Sequence, residues 1–136
     1  MKNSTTTVPS ITSALKRISD DKSLTLFNSI AVTNGETYIP IKEMNLTTKQ
    51  YYSRISGLLN TGLIKRHKGK YSLTLLGKVV YDAQMIIGKA LTYYWKLKAI
   101  DSVDSSGVIS SIERKALLDT LIDDTGIKTI LIQRPN

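Results

Sequence analysis

Leu46-Thr47-Thr48-Lys49-Gln50-Tyr51-Tyr52-Ser53-Arg54-Ile55-Ser56-Gly57-Leu58-Leu59-Asn60-Thr61-Gly62-Leu63-Ile64 is the stretch on which the fold turns. Its apolar positions Tyr51, Ile55, Leu58 and Leu59 return at helical spacing and share one face. Thr47 or Thr48 offers a hydroxyl to the free N–H groups of the first turn, and Gly62 stops the run. The spacing therefore predicts a helix over about 48–61. Opposite the apolar face, the same geometry puts Lys49, Gln50, Ser53 and Arg54, with Tyr52 at the edge.

Working outward, the runs Leu63 to His67 and Tyr71 to Leu73 flank Lys68-Gly69-Lys70, which predicts a β-hairpin. Upstream, Ser19-Asp20-Asp21 supplies caps for a helix whose stripe is Leu24, Phe27 and Ile30 or Ala31. That helix should end at Asn34-Gly35. Thr37 to Ile41 reads as a very short strand, held to an edge by Pro40, and Ile41 to Asn45 as one turn of helix. Met1 to Ser13 reads as a mobile tail, with a weak helical extension at Leu15 to Ile18.

Downstream, Thr74 caps a helical pattern reaching about Ile100. Leu76, Val79, Ala83, Ile86, Ala90, Tyr93 and Leu97 recur at alternating steps of three and four, an a/d seam. Val80, Ile87, Leu91 and Tyr94 or Trp95 widen it. Gly77 and Gly88 each weaken this helix by about 1 kcal/mol relative to Ala unless they permit a close crossing. Two coverings suit the seam: a second copy, making a homodimer, or a fold-back of the helix predicted from Ser110 to Thr125. That last helix opens on the capping-box spacing Ser110-x-x-Glu113, with Ile112, Ala116, Leu117 and Leu121 as its stripe and Gly126 as its end. Residues 127–132 are too few for periodicity to choose between strand and helix.

The charge is concentrated in the middle of the chain. Of the formal +8, residues 44–81 contribute seven basic side chains (Lys49, Arg54, Lys65, Arg66, Lys68, Lys70, Lys78) and no acid, while the flanks are nearly neutral. Such a window points to an acidic partner, nucleic acid first. With no Cys and one His in 136 residues, disulfide scaffolds, thiolate metal sites and cysteine nucleophiles are excluded, and no metal or cofactor is expected. No apolar run approaches the ~18 residues of a membrane span, and Met1 to Ser10 has no signal-peptide core. A cytoplasmic protein without membrane contact is expected. Neither a Gly-rich phosphate loop nor a paired-carboxylate arrangement in an apolar setting occurs, so no catalytic residue is assigned.

The order helix, short strand, short helix, helix, basic hairpin resembles a winged helix-turn-helix. Leu46 to Ile64, with its polar cap, helix and Gly62-Leu63-Ile64 step, is similar to the recognition segment of small bacterial and archaeal transcription regulators of the ArsR and MarR type. Tyr71-Ser72-Leu73-Thr74-x-x-Gly77 resembles their exit from the wing. The likeness covers roughly Lys22 to Tyr81, and the very short second helix departs from the pattern. It implies a mainly α chain with a small β-hairpin: a tail over 1–20, a winged-helix DNA-binding domain over 21–81, and a helical dimerisation and C-terminal region over 82–136.

The site expected on that basis has two parts. Lys49, Gln50, Ser53 and Arg54 address bases from the major groove, Arg54 reading guanine and Gln50 adenine, each bidentate contact worth ~1–3 kcal/mol of discrimination. Thr47 and Thr48 serve as caps, or as caps that also meet a phosphate, and Tyr52 either packs or contacts DNA. The wing, about 64–73, brings Lys65, Arg66, His67, Lys68 and Lys70 to the backbone or minor groove. Double-stranded DNA is the expected partner. A protein-interaction adaptor and a non-specific chromatin-type DNA binder are the alternatives. A small-molecule effector near Tyr93-Tyr94-Trp95 has no specific support, since aromatics at helical spacing usually form core.

Overall fold

The computed structural model describes residues 8–34 and 41–133. It is mainly α with one small antiparallel hairpin. Contacts divide it into two compact units, one through Asp82 and one from Ala83.

In the first unit, α1 (Ile11–Lys16) is capped by Ser10, whose hydroxyl accepts from Ser13 N–H, and the chain then buries Ile18 in the core. The helical turn expected at Leu15 to Ile18 thus lies earlier, at Ile11–Lys16; α1 itself buries no residue, and it is Ile18 just beyond it that enters the core. Helix α2 (Asp21–Thr33) opens on Asp20 and ends at Asn34, which takes the left-handed conformation (φ 51°). Its buried face is Ser23, Leu26, Phe27 and Ile30, with Leu24 and Ala31 half-buried, so it is wider than the predicted stripe. The strand expected at Thr37 to Ile41 falls mostly outside the described residues; Ile41–Met44 is a single 3₁₀ turn against α2.

Helix α3 (Thr48–Thr61) buries Ile55 and Leu58 against α2 and the hairpin, and Gly62 closes it at φ 81°. Strands β1 (Ile64–His67) and β2 (Lys70–Leu73) pair antiparallel, Ile64 opposite Leu73 and His67 opposite Lys70. The two-residue turn between them has positive φ at both Lys68 (52°) and Gly69 (79°), the twist that suits a tight hairpin. Ile64 and Leu73 face the core.

Helix α4 (Leu75–Thr92) begins at Thr74, whose hydroxyl donates to Gly62 O and accepts from Gly77 N–H. A Cβ at Gly77 would stand 2.0 Å from Leu63 O, so this glycine does permit a close approach. The predicted continuous helix to Ile100 is interrupted at Tyr93 (φ −100°, ψ 16°), one residue after Thr92 turns its hydroxyl back onto Lys89 O. Helix α5 (Tyr94–Ser105) then continues past the expected end.

The second unit closes around Ile100, Leu118, Ile122 and Ile127. Helix α6 (Ser111–Leu121) has the predicted Ser110–Glu113 capping box but faces inward through Leu118, while Ile112 is exposed. It stops at Leu121, short of Gly126, because Ile122 turns extended to enter the core. Asp124 then accepts from Ile127 N–H at the start of α7 (Thr125–Gln133), so residues 127–132 are helical.

Candidate nucleic-acid interface

At the start of α3, Thr47 is the cap. Its hydroxyl accepts from Gln50 N–H at 3.1 Å, and Gln50 Oε1 accepts from Thr47 N–H at 3.0 Å. Thr48 is exposed as the first helical residue. The capping box satisfies two free N–H groups, yet it also commits the Gln50 amide oxygen to the backbone. Bidentate reading of adenine uses both ends of the amide, so Gln50 as it stands offers only its NH₂.

Arg54 is further from the expected arrangement. Its side chain is about one-quarter exposed; Nη2 donates to Asp20 Oδ2 at 3.0 Å and Nη1 to Gln50 O at 3.5 Å. The guanidinium lies along its own helix and ties it to the cap of α2, away from the free fork a guanine edge requires. Asp20 is the hinge of this contact, since its other oxygen accepts from Ser23 N–H at 2.9 Å. Its pKa is lowered from 3.8 to about 2, first by the hydrogen bond with the Ser23 side chain and then by Arg54, against an opposing desolvation.

Lys49, Tyr52 and Ser53 are exposed on α3. Tyr52 stands edge-on to the half-buried Tyr51, ring centroids 5.0 Å apart, so it packs at its base and presents its outer edge to solvent. The hairpin exposes Lys65, Arg66, His67, Lys68 and Lys70 together. Its register alternates them: Lys65 and His67 point away from the core-facing side on which Arg66 lies beside Tyr71. Among the described residues, Arg54 is the only cation of the acid-free window that makes an ion pair. Nor does any group of three or more His, Asp or Glu there suit a metal ion.

The α4 seam divides in two. Leu76, Val79, Ala83 and Ile86 are exposed, whereas Ala90, Tyr93 and Leu97 pack against the Ile100–Leu118–Ile122–Ile127 core of their own unit. Three of the seven residues expected at a dimer seam, Ala90, Tyr93 and Leu97, thus have neighbours within their own unit, where α6 packs on α5 and α7 on α6.

Two residues that position α3 escaped sequence reasoning. Arg17 reaches over Gly57 and donates to Thr61 Oγ1 at 3.2 Å, and Thr61 in turn donates to Gly57 O. Asp20 was legible as a cap, but nothing local signals its bond to a residue 34 positions on. No protein-family model, curated protein or solved structure matches the chain.

Proposed function

We propose that this protein is a sequence-specific, double-stranded DNA-binding transcription regulator of the winged-helix type, acting as a homodimer. One observation carries the reading: an acid-free segment whose exposed cations on α3 and the hairpin are, among the described residues, unpaired. Unneutralised lysines and arginines held on a helix and an adjoining hairpin suit a phosphate backbone. In this proposal α3 lies in the major groove with Lys49, Tyr52 and Ser53 toward the DNA. Lys65, Arg66, His67, Lys68 and Lys70 anchor the wing on the backbone or in the minor groove. Thr47 and Thr48 meet a phosphate at the helix start. The exposed Leu76, Val79, Ala83 and Ile86 receive a second copy, giving half-sites about one turn (~34 Å) apart. Regulation follows from occluding or recruiting the transcription machinery, without catalysis.

A second reading, non-specific DNA binding, draws on the commitment of Gln50 and Arg54 to intramolecular bonds, which leaves fewer base readers than phosphate contacts. Selection from a random duplex library separates the two: the regulator enriches a two-fold symmetric site, and a non-specific binder enriches none. Titration against salt tests both. Log affinity should fall with log salt by about 0.9 per neutralised phosphate, and absence of duplex binding near 50 mM salt would sink the DNA reading.

A further inference from the structure

Arg54 is the one cation of the basic window held by an acid within the described residues. The acid that holds it, Asp20, lies outside that window, at the cap of another helix. The pair is open to water: the Asp20 side chain is about half exposed and Arg54 about one-quarter. An ion pair in that setting has little net strength, so a competing anion can displace the carboxylate. Within the guanidinium, and among the described residues, Nη1 reaches only a backbone oxygen at 3.5 Å and the buried Nε has no hydrogen-bond partner. Among the described residues Nη1 is thus weakly satisfied, and an acceptor group that meets both terminal nitrogens would suit Arg54 better than one carboxylate oxygen on Nη2.

Resting on the DNA reading above, we propose that Asp20 is a specificity determinant of the nucleic-acid face: it occupies Arg54 until DNA seated in register displaces the carboxylate. Two consequences follow from the charge. On an arbitrary duplex, Arg54 stays with Asp20 and adds nothing to the sequence-independent attraction. In a correctly seated complex, a phosphate or guanine acceptor takes over the guanidinium, and Asp20 keeps its other bond, to Ser23 N–H. Asp20 therefore lowers affinity for all DNA while lowering it most for the wrong DNA, which is how repulsive or competing elements create specificity.

Asp20→Asn tests this, because asparagine still caps α2 but carries no charge to hold Arg54. Asp20→Ser is a second variant whose shorter side chain caps without reaching Arg54. Duplex affinity is measured against salt for wild type, both variants, Arg54→Gln, and Asp20→Asn with Arg54→Gln, alongside circular-dichroism melting. The proposal expects both Asp20 variants to bind unselected duplexes about three- to tenfold more tightly, with a salt slope steeper by about 0.9. It expects a smaller gain on the selected site, and no gain in the Arg54→Gln background. Unchanged affinity and slope in folded Asp20 variants would overturn it, leaving the pair a structural tie. A gain that persists without Arg54 would overturn it as well, since any lost negative charge would then suffice. Failure of the wild type to bind any duplex removes the DNA reading itself, whereas wild-type binding indifferent to Asp20 removes this inference alone.

Discussion

Gly77 and Gly88 are the same residue in the same helix, yet they should respond oppositely to alanine. Leu63 O accepts from Thr74 N–H at 3.1 Å and stands 2.0 Å from where a Gly77 Cβ would be, so backbone must shift to admit a methyl. Gly77→Ala should lower the unfolding free energy by at least the ~1–3 kcal/mol typical of overpacking. A Cβ at Gly88 would meet nothing beyond its own helix backbone within 4 Å among the described residues, and Gly88→Ala should raise stability by up to about 1 kcal/mol through helix propensity alone. Denaturant unfolding of the two variants checks both signs. Asp20 makes a pH prediction at the same scale. Its pKa is depressed in the folded state, so its contribution is present above the ordinary value of 3.8 and is lost as pH falls through about 2. Thermal melts between pH 5 and pH 2 should show an acid loss that Asp20→Asn reduces; equal acid limbs in the two proteins would contradict the assignment.

Elements whose ends are written in local chemistry were readable in the sequence, and those fixed by distant packing were not. A cap at Thr47 or Thr48, Ser110 with Glu113, Gly62, and the Lys68-Gly69-Lys70 tip each solve a problem within three or four residues, and the structure uses them, taking Thr47 as the cap and adding Gln50 as its reciprocal partner. The inward turn at Ile122 and the anchoring of the chain through Ile18 depend on partners far along the chain, which periodicity does not carry. The break at Tyr93 follows a local hydroxyl bond from Thr92 to Lys89 O, to which hydrophobic periodicity is equally blind. The candidate site divides similarly: exposure of the hairpin cations follows from its shortness, whereas capture of Arg54 needed the fold. The hairpin gives this scale its prediction. Lys68 sits at φ 52°, a conformation that costs an ordinary L-residue on the order of 1 kcal/mol and asparagine less. Lys68→Asn should therefore stabilise the first unit by a few tenths to about 1 kcal/mol. If the hairpin meets phosphate, the same variant should weaken duplex binding and flatten the salt slope by about 0.9. Gain in stability with loss of affinity is a combination that a merely solvated turn would not produce.

At the scale of the whole molecule, the excess charge lies before Ala83, while a run of exposed aliphatic residues is carried by α4 on both sides of that position. Through Asp82 there are twelve basic and five acidic side chains; from Ala83 on there are seven and six. Exposed aliphatic surface is concentrated on α4, where Val79 is two-thirds exposed and Ile86 more than one-third. If a second copy covers that face, DNA affinity has two separable sources: the contacts each protomer makes, and the linkage that turns the second contact into an intramolecular event. Val79→Gln with Ile86→Gln tests the separation without altering charge, and the exposure of both positions leaves the two cores untouched. Sedimentation of the wild type at micromolar concentration should show a dimer, and the double variant should shift to monomer. On a duplex with one half-site the variant should bind about as well as the wild type. On a duplex with two correctly spaced half-sites it should lose the additional affinity, while a wild type that sediments as a clean monomer would exclude the dimer outright. Equal losses on both duplexes would mean that the α4 face contacts DNA or shapes its reader, and that self-association contributes nothing to recognition.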